Sequence, residues 1–340
     1  MRVIITEKLS VTHVLAKVAG DFYPHEEIFF IEALPYWLNN FKFPKGMALS
    51  EYPYFGQPLY KRDQPWGSLR RRLSKLIDRK AVLINPISLD EAAAFMLTAD
   101  DIICACDWDH TGIWGFDLFM EQTLGASKAP AYPVLVLSGG QDNKSLCTAF
   151  KTMIDTDHPE YQALLSAGKA KRLFEFSYAV NSQAILGNLY RRLAGTSEPV
   201  FVSKYALQAL IWLAGHPPIL CYKLEELMAN KWLGTGKYPK DSMNHLFGMG
   251  SAASRQDLHA CLTELGLINQ SEKGMLSITP LGTAFVGALH PDCRDFDLPF
   301  RLDAWMSMGV EAAEPAIKRY MNTFFGKQMR FDRVKGSATR

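Results

Sequence analysis

Two short runs in this chain are apolar at every residue, and each runs out into acid. Val3-Ile4-Ile5 leads through Thr6 to Glu7, and Ile102-Ile103-Cys104-Ala105-Cys106 leads straight into Asp107-Trp108-Asp109. A strand with one wet face alternates apolar and polar residues. A run that is apolar throughout suits a strand buried on both faces, as in a parallel sheet covered by helices. The intervening sequence supplies such helices. Residues 10–18 have helical spacing, with Val11, Val14, Leu15 and Val18 on one face and Gly20 closing the segment. Residues 89–99 predict a helix with Asp90 and Glu91 in its first turn, where the helix dipole favours them. Residues 26–32 form a second apolar run, and 81–85, 133–138 and 173–176 read as further strands. Strands alternating with helical patterns predict an α/β domain over residues 1–190, with a mainly parallel sheet and flanking helices.

Beyond about residue 195 the pattern changes. Residues 203–215 and 223–232 read as helices, and 251–265 as an amphipathic helix carrying Leu258, Cys261, Leu262 and Leu265. Gly266-Leu267-Ile268-Asn269 and Met275-Leu276-Ser277-Ile278 flank the turn Ser271-Glu272-Lys273-Gly274, and Pro280 opens another helix through residue 289. Helix, strand, turn, strand, helix is the order of a winged-helix module, expected over 195–292. A C-terminal segment, 293–340, carries a predicted helix near 312–324 and a basic end. Residues 35–80 are rich in Pro, Tyr and Trp and include Arg70-Arg71-Arg72. Those arginines could grip phosphates, though three basic residues on a helix are more often a solvated face.

The formal charge is +2 over 340 residues, so any nucleic-acid binding must rest on local patches. Six cysteines in a chain of this length are not a disulfide framework. Cys104-x-Cys106 has no second Cys or His pair nearby and reads as buried strand thiols, not zinc ligands. A reducing, cytoplasmic setting is expected. No run approaches the ~18 apolar residues of a membrane span, and the apolar start at 3–5 is broken at once by Glu7 and Lys8, unlike a secretory signal.

Asp107 and Asp109 fall at the C-terminal end of a buried strand, where open α/β sheets build their sites. Residues two apart can line one turn and present oxygens to a hard cation. Mg²⁺ takes a few carboxylates and keeps waters for substrate phosphates. Glu7 sits just past the first strand, so neighbouring strands would bring all three acids to one edge. Gly112 suits a chain that turns sharply and approaches a ligand closely. Asp-x-Asp alone is usually a solvated turn, and the added strand-borne Glu7 makes the pattern informative. Glu7, Asp107 and Asp109 are therefore the expected ligands for Mg²⁺ (or Mn²⁺).

These residues also carry a resemblance. Ile4-Ile5-Thr6-Glu7-Lys8 looks like the opening of the TOPRIM domain of type IA DNA topoisomerases, the topoisomerase III branch in particular. Cys106-Asp107-Trp108-Asp109-His110-Thr111-Gly112 is similar to that family's Asp-x-Asp-Arg-Glu-Gly stretch. The resemblance implies a TOPRIM-like fold, Glu7 and Lys8 as catalytic groups, and Lys8 stabilising charge at a scissile phosphate. His110 stands where the family has arginine, and Thr111 where it has a third acid, which implies weaker metal binding. A protonated His110 could still touch phosphate.

Lys231-Trp232-Leu233-Gly234-Thr235-Gly236-Lys237-Tyr238, the segment from Leu246 to Arg255 and Ile278-Thr279-Pro280-Leu281-Gly282 resemble the winged-helix part of the same core. A helix N-terminus bearing Ser251, Ser254 and Arg255 suits phosphate, or Ser251 simply caps the helix. The likeness covers about 1–20, 100–118 and 230–310. The family's nucleophile, a tyrosine in a Tyr-x-Arg-(Ser/Thr)-Asp context, has no counterpart at Tyr161, Tyr178, Tyr190, Tyr205 or Tyr222.

The resemblance thus implies a DNA-binding, topoisomerase-like accessory without full strand passage, acting on single-stranded or junction DNA. The alternatives are a metal-dependent nuclease, an active type IA topoisomerase with an unrecognised tyrosine, and an interaction module with a dead site.

Overall fold

The computed structural model describes residues 1–33, 41–61, 75–78, 81–84, 88–125, 131–138, 142–230, 232, 234–235, 249–250 and 252–338. Two compact units divide the chain: Met1–Lys42 with Leu59–Lys169, and Phe43–Pro58 with Ala170–Arg340.

The first unit is built on a seven-stranded sheet. Its strands are β1 (Arg2–Thr6), β2 (Ile28–Glu32), β3 (Lys75–Asp78), β4 (Ala81–Ile84), β5 (Asp101–Ala105), β6 (Pro133–Val134) and β7 (Ile154–Asp155), in the order β3-β4-β2-β1-β5-β6-β7. The middle five, β4-β2-β1-β5-β6, are parallel, and β3 and β7 lie antiparallel at the edges. The expected mainly parallel sheet is therefore present. Its helices are α1 (Leu9–Phe22), α2 (Leu89–Met96), α3 (His110–Leu124), α4 (Asn143–Lys151) and α5 (Pro159–Asn181), the last continuing past the boundary between the units.

The all-apolar strands bury both faces, as their sequence requires. Val3 and Ile5 of β1 share a core with Ile102, Cys104 and Cys106 and with Leu89, Ala92 and Met96 of α2 and Ile113, Trp114 and Phe116 of α3. Ile4 points the other way, joining Ile103 and Ala105, Val11, Leu15 and Val18 of α1, and Leu146 and Phe150 of α4. Each such side chain taken out of water contributes roughly 1.5–3 kcal/mol. The two helices that follow β1 and β5 thus cover opposite faces of the sheet.

The second unit is mainly helical. After α5 come a π-helical turn (Ser182–Leu186), α6 (Gly187–Ala194), α7 (Lys204–Ala214), β8 (Ile219–Leu220), α8 (Cys221–Asn230), α9 (Ala252–Glu264), β9 (Ile268–Gln270), β10 (Met275–Ile278), α10 (Pro280–Gly287), α11 (Leu298–Met308) and α12 (Val310–Ala338). The strand expected at 173–176 is a correction: these residues lie inside α5, with Leu173 and Phe174 in the core. Four residues are too few to show a period, and the apolar run fits a buried helix face equally well.

Strands β8, β10 and β9 form a small antiparallel sheet. The turn from β9 to β10 closes through Gly274, at φ 74°, whose N–H donates to Ser271 O at 2.8 Å. Thr279 caps α10: its Oγ1 accepts from Gly282 N at 3.0 Å and donates to Gly266 O at 2.7 Å. A Cβ on Gly282 would lie 2.2 Å from Leu267 O. The segment Thr279-Pro280-Leu281-Gly282 is thus a helix cap plus a close packing contact. Segment 43–58 belongs to this unit, where the Asn181 amide pairs with the Tyr54 backbone in both directions, at 2.7 Å each.

Candidate metal centre

The site lies where the sheet order reverses. From β1 the chain builds outward through β2 to β4, then returns to add β5 on the other side of β1. The crevice beyond the carboxyl ends of two such strands is the usual ligand position in an open α/β sheet. Register puts Thr6 opposite Ala105, so Glu7 and the segment from Cys106 leave the sheet side by side.

Glu7 is 5% exposed, and its Oε2 is buried without a hydrogen-bond partner. Leaving a carboxylate oxygen dry and unpaired costs several kcal/mol unless something of opposite charge meets it. The backbone around it is fixed. The Thr6 and Thr12 hydroxyls share a buried hydrogen bond of 2.6 Å, and Lys8 O accepts from Val11 N and Thr12 N at 3.1 Å as α1 begins. Reading the sequence did not single out Thr6 or Thr12; two threonines six apart carry no signal until the strand-to-helix turn is known.

Asp107 follows β5 and meets Lys8: Lys8 Nζ donates to Asp107 Oδ2 at 2.6 Å and pairs with Glu7 Oε1 at 3.0 Å. Asp109 caps α3, its Oδ1 accepting from Thr111 N at 2.7 Å and Gly112 N at 2.8 Å. The other Asp109 oxygen takes no part in the cap. Gly112 allows the close approach expected of it, since a Cβ there would lie 2.3 Å from Asp107 O and 3.0 Å from Glu7 Oε2.

The electrostatics follow from this crowding. Burial, then the charge of Asp107, push the Glu7 carboxyl up, with Asp109 adding to them and Lys8 opposing. Burial works against the Lys8 charge, but its bonds to Asp107 and Glu7 outweigh burial and raise it. Beneath the acids the Cys106 thiol is buried and pushed well up, chiefly by burial and then by Cys104.

Glu7, Lys8, Asp107 and Asp109 thus share one end of the sheet. Among the described residues, however, no three His, Cys, Asp or Glu side chains form a ready-made ion cage. Lys8 takes one oxygen from each of two acids, and Asp109 Oδ1 is committed to its helix cap. One feature suits a hard divalent ion: the buried Glu7 Oε2 has no hydrogen-bond partner, and Mg²⁺ takes carboxylate oxygens.

The remaining expected site residues fall elsewhere. His110 is the first residue of α3 and is half-buried. Arg255 belongs to the second unit, where its guanidinium donates to Gly250 O. Ser251, the side chain of Ser254 and the cluster Arg70-Arg71-Arg72 lie outside the described residues. No protein-family model matches this chain, and no curated protein matches it either.

Proposed function

We propose that the chain is a topoisomerase-like DNA-binding protein with a TOPRIM-type Mg²⁺ site in its first unit and a winged-helix-like module in its second. The observation that carries this reading is the unpartnered, buried Oε2 of Glu7 beside Asp107 at the switch point of a parallel sheet. Glu7, Asp107 and Asp109 would hold Mg²⁺ (or Mn²⁺), which would supply positive charge to a phosphate oxygen. Lys8 adds a second cation at the same edge. The order α7-β8-α8-α9-β9-β10-α10, with a tight turn between β9 and β10, supports the winged-helix reading. The six free cysteines suit a reducing, cytoplasmic setting, and no helix among the described residues is long and apolar enough to cross a membrane.

Full strand passage needs a tyrosine nucleophile; of the tyrosines considered above, Tyr222 is exposed but lacks the Tyr-x-Arg-(Ser/Thr)-Asp context. Tyr161 and Tyr178 are buried, with burial raising both phenols, and the Tyr190 hydroxyl is tied to Leu265 O at 2.7 Å. An accessory role on single-stranded or junction DNA follows. The expected result is binding of such oligonucleotides at low salt that weakens steeply as salt rises. Absence of binding at low salt to single-stranded, duplex and junction DNA would remove this reading. A second reading, a metal-dependent nuclease, rests on the same proposed metal site and needs no tyrosine. That reading expects Mn²⁺-dependent nicking of plasmid DNA that Asp107→Asn abolishes.

A further inference from the structure

The candidate metal centre contains its own cation. Lys8 Nζ bridges Glu7 Oε1 at 3.0 Å and Asp107 Oδ2 at 2.6 Å, joining the acid that follows β1 to the acid that follows β5. We infer that Lys8 is a tethered competitor for the divalent ion, holding one oxygen of each of two ligands until its side chain withdraws. This rests on the metal reading proposed above.

Three features support it. The Glu7 carboxylate is only half satisfied by the ammonium: Oε1 is paired and Oε2 is buried without a partner. Lys8 lies between two of the acids and occupies one oxygen of each. The Lys8 side chain is 46% exposed although its backbone is held at the start of α1, so the ammonium can swing into solvent on its flexible stem without disturbing the core.

Charge then determines what can displace it. Two carboxylates, Glu7 and Asp107, share one ammonium, and Asp109 stands at the same end of the sheet. A monovalent ion taking its place adds no charge and must bind from solution, whereas Lys8 is already held by the chain. A divalent ion adds one unit of charge. Lys8 is therefore a specificity-determining residue against Na⁺ and K⁺. Once withdrawn, Lys8 remains within its own length of the site and can meet a phosphate oxygen.

The test is Mn²⁺ binding to the full chain, read from the electron paramagnetic resonance signal of free Mn²⁺ at fixed ionic strength. Wild type, Lys8→Met, Lys8→Gln and Asp107→Asn are compared, with circular dichroism confirming the fold. Release of a half-exposed ion pair predicts that both Lys8 variants bind Mn²⁺ about fivefold more tightly. Unchanged or weaker affinity in both Lys8 variants, with binding still lost in Asp107→Asn, would overturn the competitor role and leave the metal site standing. No Mn²⁺ binding in wild type or either Lys8 variant would overturn both.

Discussion

A carboxylate in the position of Glu7 works against folding at neutral pH. Burial and the neighbouring Asp107 raise its pKa above the unfolded value, more than Lys8 offsets. The folded state therefore holds this proton more tightly than the unfolded one. Its contribution to stability is fully present below the unfolded glutamate pKa and is lost as pH rises through the folded pKa. Without divalent metal, the stability of wild type relative to Glu7→Gln should fall as pH rises above the ordinary glutamate range, as read from urea unfolding at each pH. A difference that stays flat or rises with pH would show that Glu7 is not strained. Side chains that carry such a penalty concentrate at functional sites.

The helix α3 begins at a residue with two roles. Asp109 caps it through Thr111 N and Gly112 N and also stands in the proposed ligand set. Asp109→Ala should cost about 1 kcal/mol by removing the cap, whereas Asp109→Asn keeps a capping oxygen and most of that stability. Both variants should lose Mn²⁺ affinity. Chemical denaturation alongside Mn²⁺ titration separates the two roles, and full Mn²⁺ affinity in Asp109→Asn would remove this residue from the ligand set.

This end of the molecule was legible in the sequence because its signals are local. An apolar run that stops at an acid marks both a strand and its exit, and Gly112 follows within one turn. Other parts were not legible. Leu173 to Phe176 carries no period that tells helix from strand. The Lys8 bridge needs the pairing of β1 with β5, which short runs do not specify. Asn181, buried in the second unit, gives no sign of the backbone it pairs with 127 residues earlier.

On the scale of the whole chain, that long-range pair decides where residues 43–58 belong. The segment leaves the first unit and folds with the second, through the Asn181–Tyr54 pairing and the packing of Phe43 (stacked) and Tyr54 (edge-on) against Phe176, with centroids 6.0 and 6.1 Å away. Replacing Asn181 with Leu strands the Tyr54 N–H and C=O, at a cost of about 1–3 kcal/mol per unsatisfied group. Limited proteolysis should then cut within 43–58 faster than in wild type, with cleavage elsewhere unchanged. Equal rates would mean that the aromatic contacts with Phe176 alone hold the segment. The central claim, however, concerns the three acids of the first unit. Its most direct test is a crystal soaked in Mn²⁺ and measured at the manganese absorption edge. An anomalous peak within ligand distance of Glu7, Asp107 and Asp109, with Lys8 swung away, is the predicted result. A fully soaked crystal with no peak there, and Lys8 still bridging Glu7 and Asp107, would contradict it.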